Sequence, residues 1–272
     1  MRQPVVAGSF YEADPMQLRI QIETCYLSEF GPGKLPGKLS NQKIKGVIVP
    51  HAGYFFSGAC AAHAYKKIAE SNISKFIILG VNHYGFETGI SSQDWNTPLG
   101  KAKYDKEMVD YFKKSGLKVS ETPHLKEHSI EVQLPFLQYS KKEFTFAAIG
   151  IGHDADLDNL AKILSQIKDA IIIVSSDFTH YGFNYGYIPF SANIKNNLEK
   201  LDMEAIGSIK NCDYEGFRKF VNKTGITICG FLPILTFLKT IEKGQGKLMK
   251  YYTSGDVLND FRNSVSYASI LF

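Results

Sequence analysis

Histidines gather at one kind of position in this chain, directly after runs of residues that favour β-strands. Four of the seven histidines, His51, His83, His153 and His180, follow such a run. In open α/β sheets, ligands bind beyond the carboxyl ends of the strands, and imidazole is a ligand that suits Zn, Fe and Cu. We therefore predict that His51 and His83 form the histidine pair of a metal site. The alternative interpretation is that each is a turn histidine that only hydrogen-bonds to nearby backbone.

A cysteine offers a third ligand for such a site. Cys229 lies in the sequence Thr-Ile-Cys-Gly-Phe-Leu-Pro, just before a predicted helix. A helix N-terminus lowers the pKa of a thiol toward the thiolate that binds metals. The alternative is a small buried apolar residue, the commoner fate of a lone cysteine, and we assign the other three cysteines, Cys25, Cys60 and Cys212, to that role.

Two further pairs of side chains are candidates for proton transfer. Asp177 and His180 form a D-x-x-H pair at the exit of a strand, where a carboxylate and an imidazole can share a pocket. His128 and Glu131 would lie on one face if their segment were helical. An equally good interpretation is that this segment only begins a helix, with Ser129 as its cap. Tyr54 and Tyr181 adjoin histidines and are candidate walls for a planar ligand.

The elements that must position these residues alternate between strands and helices. Strands are predicted at residues 45–49, 75–79, 144–149 and 170–174, and helices at 57–69 (with Ser57 as N-cap) and 156–167. Continuous β-branched runs separated by helices indicate a mostly parallel sheet covered on both faces, a three-layer α/β sandwich. Further helices are predicted at 194–209, 213–223 and 232–242, the second ending at Gly225, and a last strand at 264–271. The Gly- and Pro-rich stretch 31–37 is interpreted as a surface loop, so residues 1–272 are expected to form a single domain.

Composition narrows the class of protein. The 31 Lys and Arg residues give a net charge of only +4 and are spread along the chain, whereas nucleic-acid binders show a basic stripe. No apolar stretch reaches the length of a membrane span, and the N-terminus lacks the apolar region of a signal peptide. We therefore expect a cytoplasmic protein with free cysteines and with neither nucleic-acid nor membrane partners.

Several motifs together resemble one family. Pro-His-Ala-Gly-Tyr at 50–54, Glu-His-Ser-Ile-Glu at 127–131, Ser-Ser-Asp-Phe-Thr-His at 175–180 and Thr-Ile-Cys-Gly at 227–230 occur in order along the chain. The two ends of the chain, residues 2–11 and 264–268, extend the pattern. The ordered set resembles the Memo family, whose fold is similar to that of the class III (LigB-type) extradiol dioxygenases.

The resemblance implies roles for individual residues. His51 and His83 would be the histidine ligands of a metal, and Cys229 would take the place of the carboxylate ligand of the dioxygenases. His180 would be the acid/base with Asp177 beside it, and His128 would line the same pocket. Fe(II) is the expected cation, with Zn and Cu as alternatives because a thiolate is a softer ligand. The family also implies a small-molecule or peptide ligand and a functional link to a radical-SAM protein, while the oligomeric state is left open.

Three functions agree with these residues. The first is a metal-dependent redox or dioxygenase-like activity on a small aromatic substrate. The second is a non-catalytic protein that binds metal or peptide in a retained dioxygenase-like pocket. The third is a hydrolase with Cys229, His180 and Asp177 as nucleophile, base and orienting group, which the resemblance disfavours because it places Cys229 on the metal.

Overall fold

The computed structural model describes residues 1–272. It contains ten strands: β1 (Gly46–Val49), β2 (Lys75–Val81), β3 (Gly89–Ile90), β4 (Trp95–Thr97), β5 (Gly100–Tyr104), β6 (Thr145–Ile151), β7 (Ile171–Ser175), β8 (His180–Gly182), β9 (Lys247–Thr253) and β10 (Asn263–Leu271). The α-helices are α1 (Pro15–Leu27), α2 (Ala59–Ala69), α3 (Lys106–Lys114), α4 (Gln133–Ser140), α5 (Leu157–Leu164), α6 (Ile194–Lys210), α7 (Tyr214–Thr224), α8 (Phe231–Ile241) and α9 (Ser254–Leu258).

The strands form one sheet whose centre is parallel. Its order is β4-β5-β6-β2-β7-β1-β10-β8, with β3 added beside β6 and β9 beside β10. The pairs from β5 through β6, β2 and β7 to β1 are all parallel, whereas β10 runs antiparallel to its neighbours. The predicted mostly parallel sheet is confirmed. Parallel strands bring their carboxyl ends to one edge, and that edge carries the candidate residues.

Helices cover both faces of this sheet. Along β1 the side chains alternate, with Val47 and Val49 in one buried cluster and Ile48 in another. Helices α1, α2 and α4 pack on the first face, and α5, α7 and α8 supply apolar residues to the second. The two clusters hold 28 buried residues each, so neither face is left open to solvent. This arrangement is the predicted three-layer sandwich.

Local sequence signals predict one helix end correctly and another incorrectly. Gly225 has φ +63° and closes α7 in the left-handed conformation, as predicted. The prediction that Ser57 caps a helix is wrong. The segment Tyr54–Gly58 is a π-helical turn that leads into α2, and the Ser57 hydroxyl donates to the Ala52 carbonyl instead of accepting from a helix N–H.

The segment around His128 and Glu131 is also not a helix start. Helix α4 begins only at Gln133, and the Ser129 hydroxyl donates to the Val81 carbonyl at 3.1 Å, so it does not cap the helix. The side chains of His128 and Glu131 consequently contact different parts of the molecule. None of the helices is both long and apolar enough to cross a membrane.

Candidate metal and substrate site

Loops at the carboxyl edge of the sheet bring the candidate residues together. His51 follows β1, His83 follows β2 and Asp177 follows β7, so neighbouring parallel strands deliver them side by side. Cys229 lies in the turn before α8. Of the four histidines that follow strands, only His153 stays outside the site, exposed and with its ring against Phe86.

A chain of hydrogen bonds fixes the protonation of His51. The Gln133 amide donates to the Pro50 carbonyl and to Ser175 Oγ, both at 2.9 Å. The Ser175 hydroxyl in turn donates its only proton to the Ser129 carbonyl at 2.6 Å. His51 Nδ1, 3.0 Å from the same Oγ, must therefore be the donor in that contact. It follows that Nδ1 carries the proton and that Nε2 presents a lone pair.

His83 is fixed in the same tautomer by a carboxylate. Its Nδ1 lies 3.0 and 3.1 Å from the two oxygens of the buried Glu127 side chain. Burial alone would raise the pKa of Glu127, but hydrogen bonds from His83 and the Ser129 backbone outweigh it and lower this pKa to about 2. An ionised carboxylate only accepts, so His83 donates from Nδ1 and its Nε2 is free to bind a cation.

Cys229 lies against His51. Its Sγ is 3.1 Å from His51 Nε2 and accepts a hydrogen bond from the Asp177 backbone N–H at 3.2 Å. Gly230 allows this approach, because a Cβ there would lie 2.3 Å from Ser176 Cβ. Burial, reinforced by the Asp177 carboxylate, raises the pKa of the Cys229 thiol well above its ordinary value. The expected lowering by the helix N-terminus is therefore wrong: burial outweighs it.

His180 and Asp177 line the same cavity, and both side chains hydrogen-bond to backbone groups. His180 Nδ1 is 3.0 Å from the Phe178 carbonyl and 3.1 Å from the Thr227 carbonyl, and two acceptors require a donor. In a neutral His180 ring, Nε2 is thus the nitrogen without a proton. Asp177 accepts the His51 backbone N–H at 2.8 Å, and burial raises its pKa, partly opposed by His180 and by its backbone hydrogen bonds.

His128 belongs to the site, and Glu131 does not. The His128 ring stacks on His83, with centroids 5.1 Å apart and planes 6° apart, and burial lowers the pKa of His128. Glu131 is fully buried on the other side, where it binds Arg2 at 2.7 Å and accepts the Tyr11 hydroxyl at 2.7 Å. It holds the N-terminal segment, whose residues 8–12 line the cavity.

Potential donor atoms form two compact groups that share one imidazole. His51, His83 and His128 make one group, and His51, Asp177 and Cys229 make the other, with all donor atoms in a group within 4.8 Å of one another. His51 is therefore central to any cation held here. The predicted ligands His83 and Cys229 fall in different groups, one in each.

The cavity beside these groups has a volume of about 710 Å³. Phe10, Phe55 and Tyr185 are among the aromatic residues that line it. The prediction that Tyr54 and Tyr181 wall the pocket is wrong. Both are buried, and their hydroxyls donate to the backbone carbonyls of Val132 and Phe190.

Sequence reasoning missed the residues that hold the imidazoles in place. In the sequence, Glu127 stands out only as part of the motif at 127–131, and Ser175 only as part of the motif at 175–180. The one signal for Glu127 was its place next to His128, since a buried carboxylate beside a histidine is a common support for a metal ligand. Nothing in the sequence pattern distinguishes Ser175 from other serines.

Comparison with known proteins shows which family the chain belongs to. A family model described as Memo-like protein matches residues 2–271. The MEMO1 family protein of Methanothermobacter thermautotrophicus is 36% identical over 286 residues, covering 99% of each chain. That of Methanopyrus kandleri is 37% identical over 289 residues, covering 100% of this chain and 98% of the other. A solved structure of an uncharacterized protein from Escherichia coli K12 aligns with a TM-score of 0.49 and 10% identity, covering 85% of this chain and 100% of that one. With matches over nearly its whole length, the chain belongs to the Memo family.

Proposed function

We propose that this protein is a metal-dependent redox protein with dioxygenase-like activity on a small aromatic substrate. Fe(II) is the proposed cation, and His51, His83 and Cys229 are the proposed ligands. The observation that carries the proposal is the hydrogen bonding of the imidazoles. In His51, His83 and His180 the partners at Nδ1 act as acceptors, so that each imidazole in its neutral form offers an unprotonated Nε2.

The types of donor atom fit a cation of this kind, although His83 and Cys229 fall in different compact groups and would have to move toward one ion. Neutral imidazole whose second nitrogen donates to a carboxylate or other acceptor is the usual form of a histidine ligand. Bonds of roughly 2.1 Å to nitrogen and 2.3 Å to sulfur place two ligands of a tetrahedral ion about 3.6 Å apart. The observed 3.1 Å between His51 Nε2 and Cys229 Sγ is close to that separation.

Charge supports Cys229 over His128 as the third ligand. Three neutral imidazoles would offset neither charge of a divalent ion directly and would leave that to the Glu127 carboxylate behind His83. A thiolate removes one of them. Because burial raises the pKa of the Cys229 thiol, the proton stays on sulfur until a cation replaces it, and binding should release it.

The chain's own residues supply the rest of the chemistry. A bound Fe(II) provides a redox-active Lewis acid at which O2 and an aromatic diol can react. His180 would accept a proton from the substrate hydroxyl at Nε2 and return it later, since its Nδ1–H stays engaged with two carbonyls. Phe10 and Tyr185 would hold the ring of the substrate.

Calorimetric titration of anaerobically purified protein with Fe(II) tests the ligand set. We expect Cys229→Ser and His83→Gln each to weaken Fe(II) binding by more than the roughly 10- to 100-fold typical of changes behind the ligands. Cys212→Ser and His153→Gln are matched controls that leave it unchanged, since both residues lie outside the cavity. If His128→Gln abolishes binding and Cys229→Ser does not, the three-histidine group is the metal site and the proposed set is wrong.

Turnover distinguishes the enzyme from the non-catalytic alternative. Oxygen consumption by the Fe(II)-loaded protein with catechols, lost in His180→Gln with Fe(II) affinity retained, is the result expected of an oxygenase. Tight ligand binding by metal-free protein, unchanged in His51→Gln and without oxygen consumption, would support a binding protein instead.

A further inference from the structure

The charge of the cavity differs from that of the whole chain. The protein has 31 Lys and Arg residues and a net charge of +4. Yet none of the 21 residues that line the cavity is a lysine or an arginine. Its only carboxylates are Glu12 and Asp177. A site that recognises a carboxylate or phosphate on its ligand normally offers an arginine, a lysine or a cluster of backbone N–H groups.

The two carboxylates have different surroundings. Asp177 is buried, and its Oδ1 accepts the backbone N–H groups of His51 and Ala52 at 2.8 and 3.3 Å. Glu12 is exposed at the rim, where its carboxylate has no ion-pair or hydrogen-bond partner. Only its backbone is engaged, by a hydrogen bond to Gln21. Glu12 is therefore a negative charge free to meet a ligand.

Aromatic rings lie between the histidines and the rim. The Phe10 ring packs edge-on against His128, with centroids 4.8 Å apart. Tyr185 packs against His180 at 5.2 Å and is 43% exposed, and Phe55 is 69% exposed. Such faces accept a planar ring, and they also attract a cation through the negative charge of their π-systems.

We infer that the cavity selects aromatic substrates that carry a protonated amine and no carboxylate or phosphate. The ring lies among the histidines, and the ammonium group lies at the rim beside Glu12 and the exposed aromatic faces. This inference rests on the proposed function for the position of the ring. The selection by charge rests on the cavity lining alone.

Three catechols of similar size but different charge test the selection. Dopamine carries an ammonium group, 4-ethylcatechol is neutral, and 3,4-dihydroxyphenylpropionate carries a carboxylate. Their dissociation constants are measured by calorimetry on Fe(II)-loaded protein without oxygen. We expect dopamine to bind about tenfold more tightly than the carboxylate, with 4-ethylcatechol between them.

A charge-neutral variant assigns the preference to one residue. Glu12→Gln should weaken dopamine binding about three- to fivefold, the upper part of the range of an exposed ion pair, and leave 4-ethylcatechol unchanged. Glu107→Gln, on the exposed face of α3 outside the cavity, is the matched control. Equal affinities for the three probes, or tighter binding of the carboxylate, would overturn the inference and leave the proposed function standing. If none of the three binds, the aromatic-substrate part of the proposed function fails and the inference fails with it.

Discussion

Replacing Glu127 by glutamine should weaken metal binding although Glu127 is not a proposed ligand. Its carboxylate accepts four hydrogen bonds, from the His83 backbone at 2.7 Å, His83 Nδ1 at 3.0 Å, the His128 backbone at 2.9 Å and the Ser129 backbone at 2.8 Å. A glutamine amide turns one acceptor into a donor. Whichever way it is oriented, its NH2 group then faces an N–H group.

The expected size of the effect follows from these bonds. Hydrogen bonds to a charged group contribute roughly 1.5–3 kcal/mol each, and a buried group left without a partner costs a similar amount. We expect the free energy of unfolding of Glu127→Gln to fall by about 2–4 kcal/mol. Fe(II) affinity should fall roughly 10- to 100-fold, because His83 loses the partner that holds its proton on Nδ1.

Glu121→Gln provides the matched control for this assay. Glu121 accepts hydrogen bonds from the Ser91 hydroxyl at 2.8 Å and the Ser92 backbone at 2.7 Å, and it does not line the cavity. Fe(II) titration of both variants, with urea unfolding of each, separates metal affinity from stability. An unchanged affinity in Glu127→Gln, or an equal loss in both variants, would refute the argument that Glu127 acts through His83.

Three more substitutions test the turn beside Cys229, the buried Arg2–Glu131 ion pair and the buried His124. Gly230→Ala should weaken Fe(II) binding at least tenfold, because the new methyl group meets Ser176 Cβ and displaces the neighbouring cysteine. Arg2→Met should lower the free energy of unfolding by roughly 3 kcal/mol, since it leaves the buried Glu131 carboxylate without its ion-pair partner. Burial lowers the pKa of His124 to about 4 from an ordinary value of 6.5. The unfolded chain therefore binds the extra proton first, and stability falls as the pH drops from 6.5 to 4. At pH 4.5 this residue should cost about 2.5 kcal/mol relative to pH 7, and His124→Gln should remove that part of the pH dependence.

Each of these variants has a control. Gly207→Ala lies on α6, where an added Cβ meets no atom within 4 Å, and should not affect Fe(II) affinity. Arg218→Met removes an exposed ion pair with Glu215 and should leave stability unchanged. A pH dependence of stability that is identical in wild type and His124→Gln would show that this histidine is not the group that titrates.

The central strands of the sheet could be predicted because each of them has a distinctive local sequence. The aliphatic runs that became β2, β6 and β7 are continuous and bounded by turns, which is the pattern of strands buried on both faces. Strand β9 is not predicted, because its sequence, KLMKYYT, mixes lysines with aromatic residues and lacks a strand pattern. The strand forms by pairing with β10 alone, and its own composition does not reveal that partner.

The sequence predicts which residues meet at the candidate site, but it does not predict how they are held there. The parallel topology explains why His51, His83 and Asp177 converge, because neighbouring strands end at one edge. The support from Glu127 and Ser175 could not be predicted, since it depends on contacts between residues far apart in sequence. The predicted direction of the pKa shift of the Cys229 thiol is wrong, because burial raises this pKa and the extent of burial is set only by the folded chain.

X-ray absorption at the iron edge of the anaerobic Fe(II)-loaded protein tests the central claim most directly. We expect imidazole scattering together with a single sulfur in the first coordination shell, and we expect the sulfur to disappear in Cys229→Ser while persisting in Cys212→Ser. A first shell of nitrogen and oxygen only in the wild-type protein would contradict the proposed His51, His83 and Cys229 site.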